Sequence, residues 1–147
     1  MNATATTSKP VTAVQVAAFL KRYCPGQRQK PWARDRIVPW VAWFMSLGTC
    51  LVITDDADKI RGVVLGRFIT DLADGPNGHF KNTPGAPIGW VDAIVAKHPA
   101  VMPQLIAIAI SKWPHVEHFA GSVFLRGGEL RMFPKATFNR FFGVTQP

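Results

Sequence analysis

The stretch GWVDAIVAKHPAVMPQLIAIAISKWPHVEHFAGSVFLR, residues 89–126, decides the fold. Residues 89–96 are a short run of β-branched, aromatic and small apolar side chains, which reads as a strand. Met102, Leu105, Ile106, Ala109, Ile110 and Trp113 then recur at spacings of three and four, the apolar face of a buried helix beginning near Pro103. Residues 119–126 read as a further strand, ended by Gly127-Gly128. Strand, helix and strand in this order make a βαβ unit, whose two strands are expected to be parallel and joined by a right-handed crossover.

Upstream, residues 49–54 and 60–69 are β-rich and flank Asp55-Asp56-Ala57-Asp58-Lys59, an Asp cluster suited to a turn, so they predict an antiparallel hairpin. Residues 70–88 hold Gly75, Gly78, Gly85, Pro76, Pro84 and Pro87, a loop long enough to call for a functional reason. Before the hairpin, Val16, Phe19, Leu20 and Tyr23 fall on one face of a helix that Thr12 can cap and Pro25-Gly26 ends. Ile37, Trp40, Val41 and Phe44 repeat that spacing after Asp35, and Gly48 stops the second helix. Pro39 removes a backbone donor, which argues for a start at Val38. At the other end, Pro134 is expected to open a short helix running through Phe142, with Gly143 just past its end. The whole is an α/β fold with a mixed, mostly antiparallel central sheet and a C-terminal parallel βαβ unit.

A chain of 147 residues with 48% hydrophobic and 18% charged residues is globular in composition and fits one domain. Residues 1–11 are expected to be a flexible segment and residues 12–147 the domain. The net charge of +8 favours acidic partners without choosing among nucleic acid, phosphorylated cofactors and anionic membrane. The polar, Thr-rich start lacks the apolar core of a secretory signal, which predicts a cytoplasmic protein. Cys24 and Cys50 are then expected to be free thiols. Residues 37–54 carry no charge and are about long enough for a bilayer, yet Pro39, Ser46, Gly48 and Thr49 interrupt them, so a helix followed by a strand is expected and no membrane partner.

The order of elements, together with the Leu51-Val-Ile-Thr-Asp55 and Gly62-Val-Val-Leu-Gly66 hairpin, the Trp90-Val-Asp-Ala-Ile-Val-Ala96 strand and the Phe138-Asn-Arg-Phe-Phe-Gly143 ending, resembles the GCN5-related N-acetyltransferase (GNAT) superfamily over about residues 12–145. The resemblance implies a GNAT-like domain whose two parallel strands splay apart at one end, acetyl-CoA as cofactor, and transfer of an acyl group to an amine. In the family a loop of the form Arg/Gln-x-x-Gly-x-Gly/Ala after the third long strand holds the cofactor's pyrophosphate on backbone amides at a helix start. The matching positions here are Lys97-His98-Pro99-Ala100-Val101-Met102, so both glycines are replaced. Pro99 and Pro103 supply no amide hydrogen, and Met102 puts a long side chain where phosphate would approach. Lys97, Ala100, Val101 and Gln104 remain as the implied cofactor contacts. Where many members carry a tyrosine that protonates the departing thiolate, this chain has Asn139, whose amide cannot serve as a general acid. Its one tyrosine, Tyr23, is remote in sequence.

Strand alternation puts Asp92 on one face with Trp90 and Ile94, where a carboxylate among apolar groups could deprotonate an amine. The competing reading is an Asp tied to a neighbouring arginine or backbone amide, or a solvated one. His115 and His118 lack the further ligands of a zinc site, and no metal is expected. No Gly-x-Ser-x-Gly or P-loop occurs, which removes the usual hydrolase and NTPase readings.

Lys9, Lys21, Arg22, Arg28, Lys30, Arg34 and Arg36 are set against Asp35 alone, with Tyr23 and Trp32 among them, so residues 21–36 are a candidate nucleic-acid surface. The aromatic run at residues 138–142 cannot hide every ring on one face, which points to a homodimer or larger assembly. Two functions therefore stand open. One is a GNAT-like acyl-CoA-dependent N-acyltransferase with an altered cofactor loop. The other is a catalytically degenerate member of that fold with a structural or assembly role, of the kind a viral or mobile-element protein would fill in the virion.

Overall fold

A computed structural model of the chain describes residues 10–23, 34–77, 80–121 and 132–137. Helix α1 spans Ala13–Tyr23 and α2 Arg34–Leu47, followed by strands β1, Cys50–Thr54, and β2, Ile60–Ile69. A short helix α3, Asp74–Asn77, lies in the long loop. Strand β3 is Ile88–Ala96, helix α4 Met102–Lys112, and strands β4 and β5 are His118–Ala120 and Met132–Pro134. The strands form one sheet in the order β1-β2-β3-β4-β5, parallel at β3–β4 and antiparallel at the other three pairings. This is the mixed α/β sheet expected, with the parallel pair at the βαβ unit.

Local chemistry sets the ends of the helices. Thr12 Oγ1 accepts the Gln15 amide at 3.2 Å while Gln15 Oε1 accepts the Thr12 amide at 2.9 Å, a reciprocal box that opens α1. At the end of α2, Gly48 takes φ +78°, its amide donates to the Met45 carbonyl at 3.1 Å, and the Thr49 amide donates to Phe44 at 3.1 Å. That pair of bonds is the Schellman closure, and the left-handed residue it needs is glycine. It turns the uncharged stretch at 37–54 into a helix and a strand. Among the described residues no helix is long and apolar enough to cross a membrane.

The hairpin turn is held by Asp55, whose Oδ1 accepts the amides of Ala57 and Lys59, both at 2.9 Å. The Lys59 amide bond, with that from Ala57 and the nearby charges of Arg61 and Lys97, holds the Asp55 carboxyl below its ordinary range against a smaller opposing effect of burial.

Two layers cover the sheet. On one face α4 lays Leu105, Ile106, Ala109 and Ile110, with Trp113, against Ile53, Val64, Phe68 and Val91. On the other, α1 and α2 pack Val16, Phe19, Leu20, Ile37, Val41 and Phe44 against Val63, Leu65, Ala93 and Val95. Each fully buried side chain of the size of Leu20 or Phe44 contributes about 1.5–3 kcal/mol of transfer free energy. Cys50, on β1 at the edge of the second layer, is free, and burial pushes its thiol up to about 12. Iodoacetamide at pH 8 should therefore label Cys50 far more slowly in the folded protein than in urea, and equal rates would contradict this environment.

Three local expectations are corrected. Helix α2 begins at Arg34 and contains Pro39, so the packing of Ile37, Val41 and Phe44 outweighs one lost backbone bond. The stretch leading into Pro134 forms an unforeseen strand, β5, pairing antiparallel with β4 through His118↔Pro134, Phe119↔Phe133 and Ala120↔Met132, while the helix expected to open at Pro134 begins directly after it, with residues 135–137 helical and the residues beyond them outside the described ones. As the last residue of an edge strand, Pro134 lacks only a donor that the ladder does not need. Ile94 does not share a face with Trp90, because a bulge in β3 intervenes. Cys24, most of the basic segment at 21–36, Asn139, Phe142, Gly143 and the strand residues beyond Gly121 lie outside the described residues.

Candidate functional site

The bulge sits in the middle of β3. Register runs Leu65↔Ala93 and then Gly66↔Val91, leaving Asp92 as the extra residue. One inserted residue shifts the pleat by one, so Val91 and Ile94 both face α4 whereas Ala93 and Val95 face the other helices. Asp92 is left on the face of Trp90 and half-buried.

There it meets Arg67 of β2. Arg67 is only 2% exposed and Asp92 16%, with Arg67 Nε donating to Asp92 Oδ2 at 3.0 Å and Nη2 to Oδ1 at 3.4 Å. The same guanidinium reaches the long loop: Nη1 donates to the carbonyls of Asp74 at 3.0 Å and Lys81 at 3.2 Å, and Nη2 to that of Gly75. A planar fork with several donors suits this task, because it can serve a carboxylate and backbone carbonyls together. Gly75 lies so close over Trp90 that a Cβ there would stand 2.2 Å from the indole. The loop is therefore bound down on the sheet beside Trp90, which packs with Ile69, Ile88 and Ala120.

The parallel pairing of β3 with β4 is brief, covering Ile88↔His118, Gly89↔Phe119 and Trp90↔Ala120. A Cβ on the next residue, Gly121, would lie 2.4 Å from the Val91 carbonyl oxygen, so the two backbones are still in close contact there. From Asp92 to Ala96, β3 has no strand on that side among the described residues. The edge leads to the loop before α4. Lys97 is exposed, with its amide donating to the Arg61 carbonyl at 2.8 Å. Residues Pro99–Val101 form a 3-10 turn in which the Val101 amide donates to His98 at 2.9 Å and the Met102 amide to Pro99. Both amides are spent within the turn, and Pro99 and Pro103 have none. Ala100 and Gln104 are exposed and Val101 is buried. As a diphosphate cradle of backbone amides, the head of α4 is a poor fit.

The structure thus draws Asp92 and the strand edge into one region with Lys97, Ala100 and Gln104 at its end, while Val101 packs into the core. Sequence reasoning missed Arg67, although a single charge within the apolar run of residues 62–69 was a signal for a buried ion pair. It also missed that Tyr23 lies beside Lys97, whose Nζ is 5.9 Å from the ring centroid. Of the histidines, His115 packs edge-on against Phe68 with ring centroids 4.4 Å apart, and its Nε2 is buried without a partner among the described residues. No group of three or more His, Cys, Asp or Glu suited to a metal ion occurs among the described residues.

No protein-family model matches the chain, and no curated protein does. Among solved structures, the chain is similar to a GNAT-like decarboxylase, GphF, in complex with isobutyryl-CoA, with a TM-score of 0.53 and 17% identity. The similarity covers 74% of this chain and 60% of that one, so the chain spans less than two thirds of its neighbour's length. At this identity the likeness is one of fold, and the fold is GNAT-like.

Proposed function

We propose that the chain is an acyl-CoA-dependent N-acyltransferase with an altered cofactor loop. One observation carries this reading: β3 continues past its last described pairing with β4, Trp90↔Ala120, through the bulge to Ala96, and among the described residues it has no strand on that side. A strand edge offers alternating N–H and C=O groups to an extended chain, as a pantetheine arm requires. The fold neighbour's complex with an acyl-CoA supports the reading. The acceptor is an amine. Its nitrogen attacks the thioester carbonyl, a C–N bond forms, the C–S bond breaks and CoA leaves as thiolate. Asp92 is the candidate base, through Oδ1, the oxygen that Arg67 holds at the longer distance.

The head of α4 limits affinity in this reading. Acetyl-CoA should bind weakly, with Kd no tighter than about 0.1 mM, and Met102→Gly with Pro103→Arg should improve it about tenfold by restoring an amide-rich approach and a cation. Calorimetry decides this, and tight wild-type binding indifferent to both changes would mean that the cofactor lies elsewhere.

A second reading is favoured by the contacts of Asp92 itself: with both oxygens on a buried arginine, it serves as an anchor in a non-catalytic GNAT-fold protein used for assembly, with itself or with a larger particle. Absence of acetyl-CoA binding in wild type and double variant, with no transfer to any amine in a panel, would select it.

A further inference from the structure

The C-terminus of α1 meets the start of the α4 loop around a single aromatic ring. Tyr23 leans on the buried Phe19 with centroids 4.8 Å apart and the rings tilted by 41°, which fixes its ring against the core. Over that ring lie the Arg22 guanidinium carbon at 5.4 Å and Lys97 Nζ at 5.9 Å. Lys97 is held from behind by its amide bond to Arg61. Two cations from distant parts of the chain thus each lie within about 6 Å of the centre of one ring, and among the described residues neither forms a salt bridge. The acid in electrostatic reach of Lys97 is Asp55, but its Oδ1 is occupied by the amides of Ala57 and Lys59. Like charges on one ring, without a salt-bridge partner among the described residues, repel one another, and an aromatic face offsets only part of that cost. A bound anion would offset the rest.

This spot lies at the end of β3, next to the amides that Pro99, Val101, Met102 and Pro103 fail to provide. We infer that Arg22 and Lys97, arranged on Tyr23, form a side-chain site for the diphosphate of an acyl-CoA, in place of a backbone cradle at the head of α4. The inference rests on the acyltransferase reading for the identity of the anion, and on the ring geometry for its location. Arg22 can present two parallel N–H groups to phosphate oxygens and Lys97 a point charge, so the pair suits a diphosphate better than a single carboxylate.

The test uses calorimetry on the full chain with four probes: acetyl-CoA, S-acetylpantetheine, inorganic pyrophosphate and a single-stranded DNA oligonucleotide. Arg22→Gln and Lys97→Gln should each weaken acetyl-CoA and pyrophosphate about tenfold, the scale of one charge-assisted hydrogen bond, and leave S-acetylpantetheine unchanged. Lys21→Gln removes the same net charge beside the site and should change affinity less than about twofold, since only the longer-range field is altered. Acetyl-CoA binding that is indifferent to Arg22→Gln and Lys97→Gln would overturn the site while leaving the acyltransferase reading in place. Pyrophosphate binding that depends on both residues, without any gain for acetyl-CoA over pyrophosphate, would keep an anion site and overturn its assignment to an acyl-CoA. DNA binding that alone depends on these residues would overturn the proposal in favour of a nucleic-acid surface, and no binding of any probe would overturn it together with the acyltransferase reading. Circular dichroism of each variant separates loss of binding from loss of fold.

Discussion

Arg67→Met should destabilise the protein by about 3–5 kcal/mol, because it leaves the Asp92 carboxylate largely buried with its cationic partner gone. Against a total of roughly 5–15 kcal/mol for a domain, that is enough to unfold a sizeable share of molecules near 37 °C. The loss has two parts. One is the charge on Asp92, and the other is the set of loop carbonyls at Asp74, Gly75 and Lys81 that lose their donor. Adding Asp92→Leu to Arg67→Met removes the first part only, so the double variant should recover some stability and still fall short of wild type. Urea unfolding of the three proteins measures each part. A single variant within about 1 kcal/mol of wild type would mean that the clamp carries no load in solution.

Gly121→Ala is the second large effect. A methyl group at that position meets the Val91 carbonyl oxygen at 2.4 Å, and backbone cannot rotate out of the way as a flexible side chain can. Strand β4 must back off from β3 at this close approach, costing about 3 kcal/mol, the upper end for over-packing. Amide exchange should report it locally: protection at residues 88–91 and 118–121 should fall before that of the β1–β2 hairpin. Contrast comes from Gly85, where φ is +83° but nothing lies within 4 Å of a Cβ, so alanine there meets backbone strain alone and should cost about 1 kcal/mol. If Gly121→Ala proves the milder of the two, the close approach of β3 and β4 is wrong.

Both effects bear on function as well as stability. Arg67 ties Asp92 to the loop, and Gly121 is the last described residue of the close approach of β4 to β3, so together they shape the edge on which a pantetheine arm is proposed to lie. A variant that loses acetyl-CoA binding while its unfolding curve is unchanged would locate the ligand there more directly than one that loses both.

Much of the architecture was legible in the residues. The hairpin, the βαβ unit and three helices follow from periodicity and from glycines and prolines at their ends, because those signals act between near neighbours in the chain. Thr12 and Gln15 form their box, and Gly48 its closure, with partners no more than five residues away. Strand β5 escaped because a three-residue edge strand has no periodicity to show, and its partner His118–Ala120 comes from elsewhere in the sequence. The bulge at Asp92 escaped for a related reason: one extra residue is invisible until the partner strand supplies the register against which it is extra. The same physics divides the site. Lys97 with the proline-rich turn could be picked out as a weakened anion cradle from residue types alone, since a missing amide hydrogen is a property of proline itself. That Asp92 is gripped by Arg67, 25 positions away, and that Tyr23 gathers Arg22 and Lys97 onto one ring, were decided only when the sheet and α1 packed together, because side-chain charge and aromatic contacts depend on distance in space and carry no trace in local spacing.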